Sequence, residues 1–181
     1  MNAIGNIVWQ KTFGGSRANI PYSIQQTNDN GYIVAGCTGS NDGDVSGYHG
    51  LYDYWIIKLD TDGNLIWQRT LGGKEMDMAT SVQQTKDGGY IIAGMSNSND
   101  GDVTGNHGSD DYWIVKLNTE GDIVWQKSLG GSKSDRATSI QQTTDGGYII
   151  AGFSDSIDGD VSGNHGDSAD FWIVKFGPDA K

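Results

Sequence analysis

Trp9, Trp67 and Trp125 stand 58 residues apart, each at the head of one of three near-copies of a single segment. The copies read GNIVWQKTFGG from Gly5, GNLIWQRTLGG from Gly63 and GDIVWQKSLGG from Gly121. Each continues into SIQQT or SVQQT and then GYIVAG or GYIIAG. They fill the chain as repeats of about 5–62, 63–120 and 121–181. A second tryptophan keeps the period from Trp55 to Trp113, but 59 residues separate Trp113 from Trp172, so a one-residue insertion lies between Gly166 and Asp170 and marks a loop. A unit this short cannot bury its apolar face alone and has to stack against its own copies.

Four segments of a unit read as strands: Ser23 to Thr27, Tyr32 to Cys37, Tyr54 to Leu59 and Leu65 to Thr70. No segment holds a helical period. The first two are joined by NDNG, with KDGG and TDGG in the later copies, residues that reach positive φ at low cost and suit a tight hairpin. DTDGN joins the third and fourth in the same way. Ile, Val, Tyr and Trp crowd the second and third strands without clean alternation, as in strands covered on both faces. Glycine supplies 28 of 181 residues and proline 2, which fits turns rather than a collagen or a proline-rich linker. The expected class is all-β, each unit a four-stranded antiparallel sheet packed between similar sheets.

Repeated four-stranded sheets fit β-propeller blades, and the length beyond a common blade of ~40 to 50 residues sits in the loop from Thr38 to Asp53. A stacked solenoid or a sandwich of the same hairpins is the alternative, and the loss of alternation favours the propeller. The motifs GYIVAG, DYW(I/V)(I/V)KL, G(N/D)-apolar-apolar-WQ(K/R) and (N/I)DGDV(S/T)G(Y/N)HG resemble the propeller repeats of bacterial surface and secreted proteins. The resemblance spans nearly the whole chain and implies an extracellular or cell-surface location. It is silent about activity, because members of that family differ in ligand.

Propellers have ~4 to 8 blades, so three blades should not close alone, and an open arc would leave an apolar blade face bare at each end. Two chains give a six-bladed ring, the expected homodimer, and three give nine, the alternative homotrimer. The chain begins with the WQK strand and ends with Phe171 to Phe176, the strand that elsewhere precedes WQK. Its N-terminal strand, Asn6 to Thr12, is therefore expected to complete the last blade of a partner chain in a head-to-tail contact. The same phase would also fit a fragment of a longer array.

Twelve Lys and Arg against 23 Asp and Glu give a net charge of -11, which excludes a basic nucleic-acid surface. No apolar run approaches the ~20 residues of a membrane-spanning helix, so no membrane insertion is expected. The single cysteine, Cys37, allows no intrachain disulfide and leaves the redox compartment open. No signal peptide is read in the chain, which would make it cytoplasmic if complete as given.

The long loop carries the one suggestive cluster. Asp42 and Asp44 flank a glycine, and the pair recurs as Asp100 and Asp102 and as Asp158 and Asp160, with Asp53, Asp111 and Asp170 on the following strand. Hard oxygen donors in that arrangement would suit calcium, although the spacing is not that of an EF-hand. The alternative is an aspartate-capped Asx turn. His49, His107 and His165 share one loop position and resemble the histidine that orders blades in tryptophan-aspartate propeller repeats. The six tryptophans could be sugar-stacking platforms, but their apolar neighbours favour a place in the core. No Ser-His-Asp or Cys-His constellation is unique to one copy, so no catalytic residue is expected. The departures from the repeat are Pro21 for Ala79 and Ala137, Asn19 for Asp77 and Asp135, Tyr48 for Asn106 and Asn164, and Phe171 for Tyr54 and Tyr112. The expected function is a non-enzymatic scaffold or binding module with a protein or glycan ligand. A propeller lectin is the first alternative, and a hydrolase or lyase using an acidic channel is the second.

Overall fold

The computed structural model describes residues 5–166 and 168–178, and it is all-β. The first sheet holds β1 (Asn19–Gln26), β2 (Tyr32–Thr38), β3 (Asp53–Leu59) and β4 (Leu65–Leu71) in sequence order. The second holds β5 (Asp77–Gln84), β6 (Tyr90–Ser96), β7 (Asp111–Leu117) and β8 (Ile123–Leu129). The third has three strands, β9 (Asp135–Gln142), β10 (Tyr148–Ser154) and β11 (Asp170–Phe176). All neighbours are antiparallel, so the three sheets are meanders of propeller-like form. Part of the insertion in the third copy, Asp167, lies outside the described residues.

The turns form where the sequence places them. Thr27 N donates to Gly31 O and Asn30 N to Thr27 O, both at 2.9 Å, and Asn30 takes the left-handed φ that Gly88 and Gly146 take in the other copies. The first strand begins at Asn19, ahead of the expected Ser23, and its register slips between Pro21 and Ser23. The same slip occurs in the second and third sheets. Opposite it stand Gly36, Gly94 and Gly152, where a methyl group would overlap the carbonyl of Ile20, Met78 or Arg136. This close approach explains the invariant glycine of the three GYI(V/I)AG copies within this chain.

The sheets stack in sequence order, and their first strands lie side by side. Gln84 N donates to Gln25 Oε1 and Gln142 N to Gln83 Oε1, each at 2.6 Å, while Asn28 N and Lys86 N donate to Gln84 Oε1 and Gln142 Oε1. The paired glutamines thus stitch each sheet to the next. β6 and β7 are buried along their whole length because sheets cover both their faces. Ile33, Tyr54 and Ile56 of the first sheet meet Ile92, Trp113 and Val115 of the second in one apolar layer. Ile91, Tyr112 and Ile114 meet Ile140, Tyr148 and Ile150 in the next. Each fully buried side chain of this kind is worth ~1.5 to 3 kcal/mol.

Residues 5–18 form no sheet, although Asn6 to Thr12 carry the strand sequence. They nevertheless lie on the first sheet as β4 lies on the second. The Trp9 ring meets Tyr32 edge-on at 5.7 Å, as Trp67 meets Tyr90 at 5.7 Å and Trp125 meets Tyr148 at 5.9 Å.

Candidate functional site

Each β2–β3 type loop reaches the segment that precedes the first strand of its own sheet. Asp42 Oδ1 accepts from Ser16 N at 2.7 Å and Asp44 Oδ2 from Gly14 N at 3.0 Å. Asp100 and Asp102 accept from Lys74 N and Gly72 N at 2.9 and 3.2 Å, and Asp158 and Asp160 from Ser132 N and Gly130 N at 2.8 and 3.3 Å. The glycine between the two carboxylates is required by its backbone: Gly43, Gly101 and Gly159 have φ of 66°, 63° and 64°. Backbone amides hold the Asp42, Asp100 and Asp158 carboxyls below their usual pKa.

The third expected ligand of each set is engaged elsewhere. Asp53 Oδ2 accepts from His49 N and contacts His49 Nδ1, both at 2.8 Å. Asp111 and Asp170 hold His107 and His165 in the same way, at 2.7 and 2.8 Å from Nδ1. The histidines therefore tie the loop to the start of the third strand of their own blade. Among the described residues no group of three or more His, Cys, Asp or Glu is arranged to hold a metal ion. The nine aspartates proposed from the sequence divide into amide caps and histidine partners, because the Asp-Gly-Asp turn faces the preceding segment rather than the strand that follows.

A second pair of carboxylates meets between sheets. Asp53 and Asp77 are both fully buried, and a methyl group on Gly72 would overlap Asp77 Oδ2 and lie 3.2 Å from Asp53 Oδ1. At Gly130 the corresponding distances to Asp111 Oδ1 and Asp135 Oδ2 are both 2.6 Å. Asp53 Oδ1, Asp111 Oδ1 and Asp135 Oδ1 have no hydrogen-bond partner among the described residues. Desolvation raises the carboxyl pKa of Asp53, Asp77 and Asp111, and the neighbouring carboxylate raises Asp53 and Asp111 further. Ser96 and Ser98 donate to Asp77. In the first sheet Asn19 stands at the Asp77 position. Its Nδ2 lies 2.7 Å from where a Gly14 methyl would be, and its Oδ1 accepts from Thr38 Oγ1 at 2.6 Å.

Three open clefts lie at the two ends of the stack. One, of about 250 Å³, is apolar and lies on the outer face of the first sheet, which residues 5–18 cover in part, between Trp9, Phe13, Ile24 and Trp55. Another, of about 430 Å³, lies beside it between Phe13, Asn19 and Asp44. The third, of about 460 Å³, borders β11 between Ser162, His165 and Trp172. Five of the six tryptophans are not wet platforms: Trp55 and Trp113 are buried, and Trp67, Trp125 and Trp172 are half-buried against the core, while Trp9 is exposed beside the first cleft.

No known family profile matches the chain. The chain is similar to the regulatory protein FlaEY of Caulobacter vibrioides, with 25% identity over 195 residues. The match covers 98% of this chain and 20% of that protein, so the chain spans about a fifth of the relative's length and is distantly homologous to it.

Proposed function

We propose that the chain is a non-enzymatic β-propeller scaffold or binding module that works as a homodimeric six-bladed ring. The observation that carries this reading is the threefold recurrence of one loop, fixed by the same aspartate caps in the same place on every blade. Such a surface offers equivalent contacts and hence avidity. An enzyme would need one asymmetric cleft with exposed, perturbed carboxylates, whereas the perturbed Asp53, Asp77 and Asp111 are buried and occur in both internal junctions. A protein ligand fits this reading better than a glycan, since five of the six tryptophans that would stack on sugars lie in or against the core. The relative's name, a regulatory protein, agrees with action through binding. A surface or secreted location rests on the sequence resemblance alone.

The test is to probe the immobilised protein with peptide and oligosaccharide arrays and to titrate any captured ligand by calorimetry. Three equivalent sites per chain and no turnover are expected. One site per chain, or chemical conversion of the ligand, would overturn the reading.

A further inference from the structure

We infer that the outer face of the first sheet is a socket for the β11 end of a second copy, and that Phe171, Asn19 and Pro21 are the residues fitted to that contact. The inference rests on the ring proposed above and specifies how the ring closes.

The two internal junctions show what the socket is built to take. The ring of Tyr54 of β3 packs tilted against Trp113 with centroids 4.5 Å apart, and that of Tyr112 of β7 against Trp172 at 4.6 Å. Their hydroxyls donate to the carbonyls of the same tryptophans at 2.9 Å and lie over Gly94 and Gly152. At the ends of the chain neither half of this contact has its partner ring. Phe171, at the position of the two tyrosines, is 92% exposed. Trp55, at the position of Trp113 and Trp172, lines the apolar cleft together with Pro21 and Ile24, and no aromatic ring lies over Gly36. A phenylalanine suits that cleft, and Pro21 adds apolar surface where the internal copies have only an alanine methyl.

The backbone is prepared as well. β11 has an unpaired outer edge, with Ile173 62% exposed, while residues 5–18 already lie on the first sheet in the manner of a fourth strand that has no third strand beside it. Lys11 Nζ donates to Asn64 Oδ1 as Arg69 donates to Asp122 Oδ1 in the next blade. The β3–β4 register, carried over, sets Trp172 opposite Thr12, Ile173 opposite Lys11 and Val174 opposite Gln10 of the second copy. Gln10 then stands where Gln68 and Gln126 accept from Trp55 Nε1 and Trp113 Nε1.

Asn19 decides which occupant fits. Internally, Asp53 and Asp111 each face another buried carboxylate. Across the proposed contact Asp170 of one copy faces Asn19 of the other, whose Nδ2 donates to Arg17 O at 2.6 Å, so a neutral amide stands where the internal junctions set a second carboxylate. A further repeat of the internal type would bring tyrosine, aspartate and alanine to these positions. The three departures meet one another only when the tail of one copy docks on the head of another.

The experiment is light scattering after gel filtration on the wild type, Phe171→Asp and Asn19→Asp, with circular dichroism as the check on folding. A wild-type mass of about 39 kDa, twice the 19.4 kDa of one chain, is expected. Phe171→Asp should stay folded, because its side chain is exposed in the subunit, and should dissociate at least about a hundredfold more readily. Asn19→Asp should weaken the dimer by about tenfold at neutral pH. A wild-type dimer that Phe171→Asp leaves intact would overturn this contact and leave the dimer standing. An unchanged Asn19→Asp dimer would overturn the role given to Asn19, and a monomeric wild type would overturn both the contact and the ring.

Discussion

Trp113 is fully buried between the first two sheets, with Tyr54 on its face and Gln126 accepting from its indole nitrogen at 2.8 Å. Trp113→Ala should therefore cost about 3 to 5 kcal/mol in denaturant unfolding, as expected for a large core aromatic. A surface platform would lose far less. Tyr54→Phe removes one buried hydrogen bond, to Trp113 O, and should cost about 1 kcal/mol. The buried carboxyls make a prediction of opposite sign. Asp53, Asp77 and Asp111 bind their protons more tightly folded than unfolded, so their penalty is full at neutral pH and is relieved as pH falls through their raised values. Asp29 works the other way. Its hydrogen bond with Lys58 lowers its pKa to about 2, so its contribution is present above the ordinary carboxylate range and is lost as pH falls toward that value. Asp77→Asn, which copies Asn19, should raise the melting temperature at pH 7.5, and the gain should shrink as pH is lowered toward 5. A lower melting temperature at both pH values would contradict the account of the pair. The core tryptophans were legible from their apolar neighbours, and the histidines from their shared position. The Asp53–Asp77 meeting was not, because it joins residues on different sheets and nothing in their local sequence marks it.

β2 and β3 follow their expected bounds closely because continuous Ile, Val, Tyr and Trp runs between Gly and Asp turns leave few other arrangements. β1 extends four residues further back than its apolar pattern. Pro21 obscured it, being tolerated there because β1 is an edge strand whose register slips at that point. The loops were recognised by their repeated Asp-Gly-Asp, but their amide partners were not, since short spacing shows which oxygens are near in sequence and not which amides lie across the fold. With Asp42 and Asp44 committed to Ser16 and Gly14, millimolar calcium should leave the melting temperature unchanged; a clear rise would restore calcium to these loops. Among the described residues the Asn6 to Thr12 segment pairs with no strand, and the proposed ring gives it β11 of a second copy. Deleting residues 1–12 should keep the three sheets folded by circular dichroism but abolish the defined dimer and give heterogeneous oligomers through the bare β11 edge. A truncated protein that still runs as a sharp dimer would rule this segment out as the clasp.

At the scale of the molecule, three sheets stack in sequence order and finish on two different ends: an apolar cleft on the first sheet, and an exposed Phe171 on the edge strand of the third. The period made the repeated sheets plain, and the phase of the repeat agrees with the third sheet having three strands. The exposure of Phe171 and the cleft on the first sheet were hidden, because they depend on which faces the stack leaves open. Two copies joined head to tail cover both ends twice and leave no bare blade face, which a single chain cannot do. The mass of the 181-residue chain in solution at micromolar concentration is the most direct test. The account predicts one species of about 39 kDa, twice the 19.4 kDa of a single chain. A stable, folded species of 19.4 kDa would contradict it.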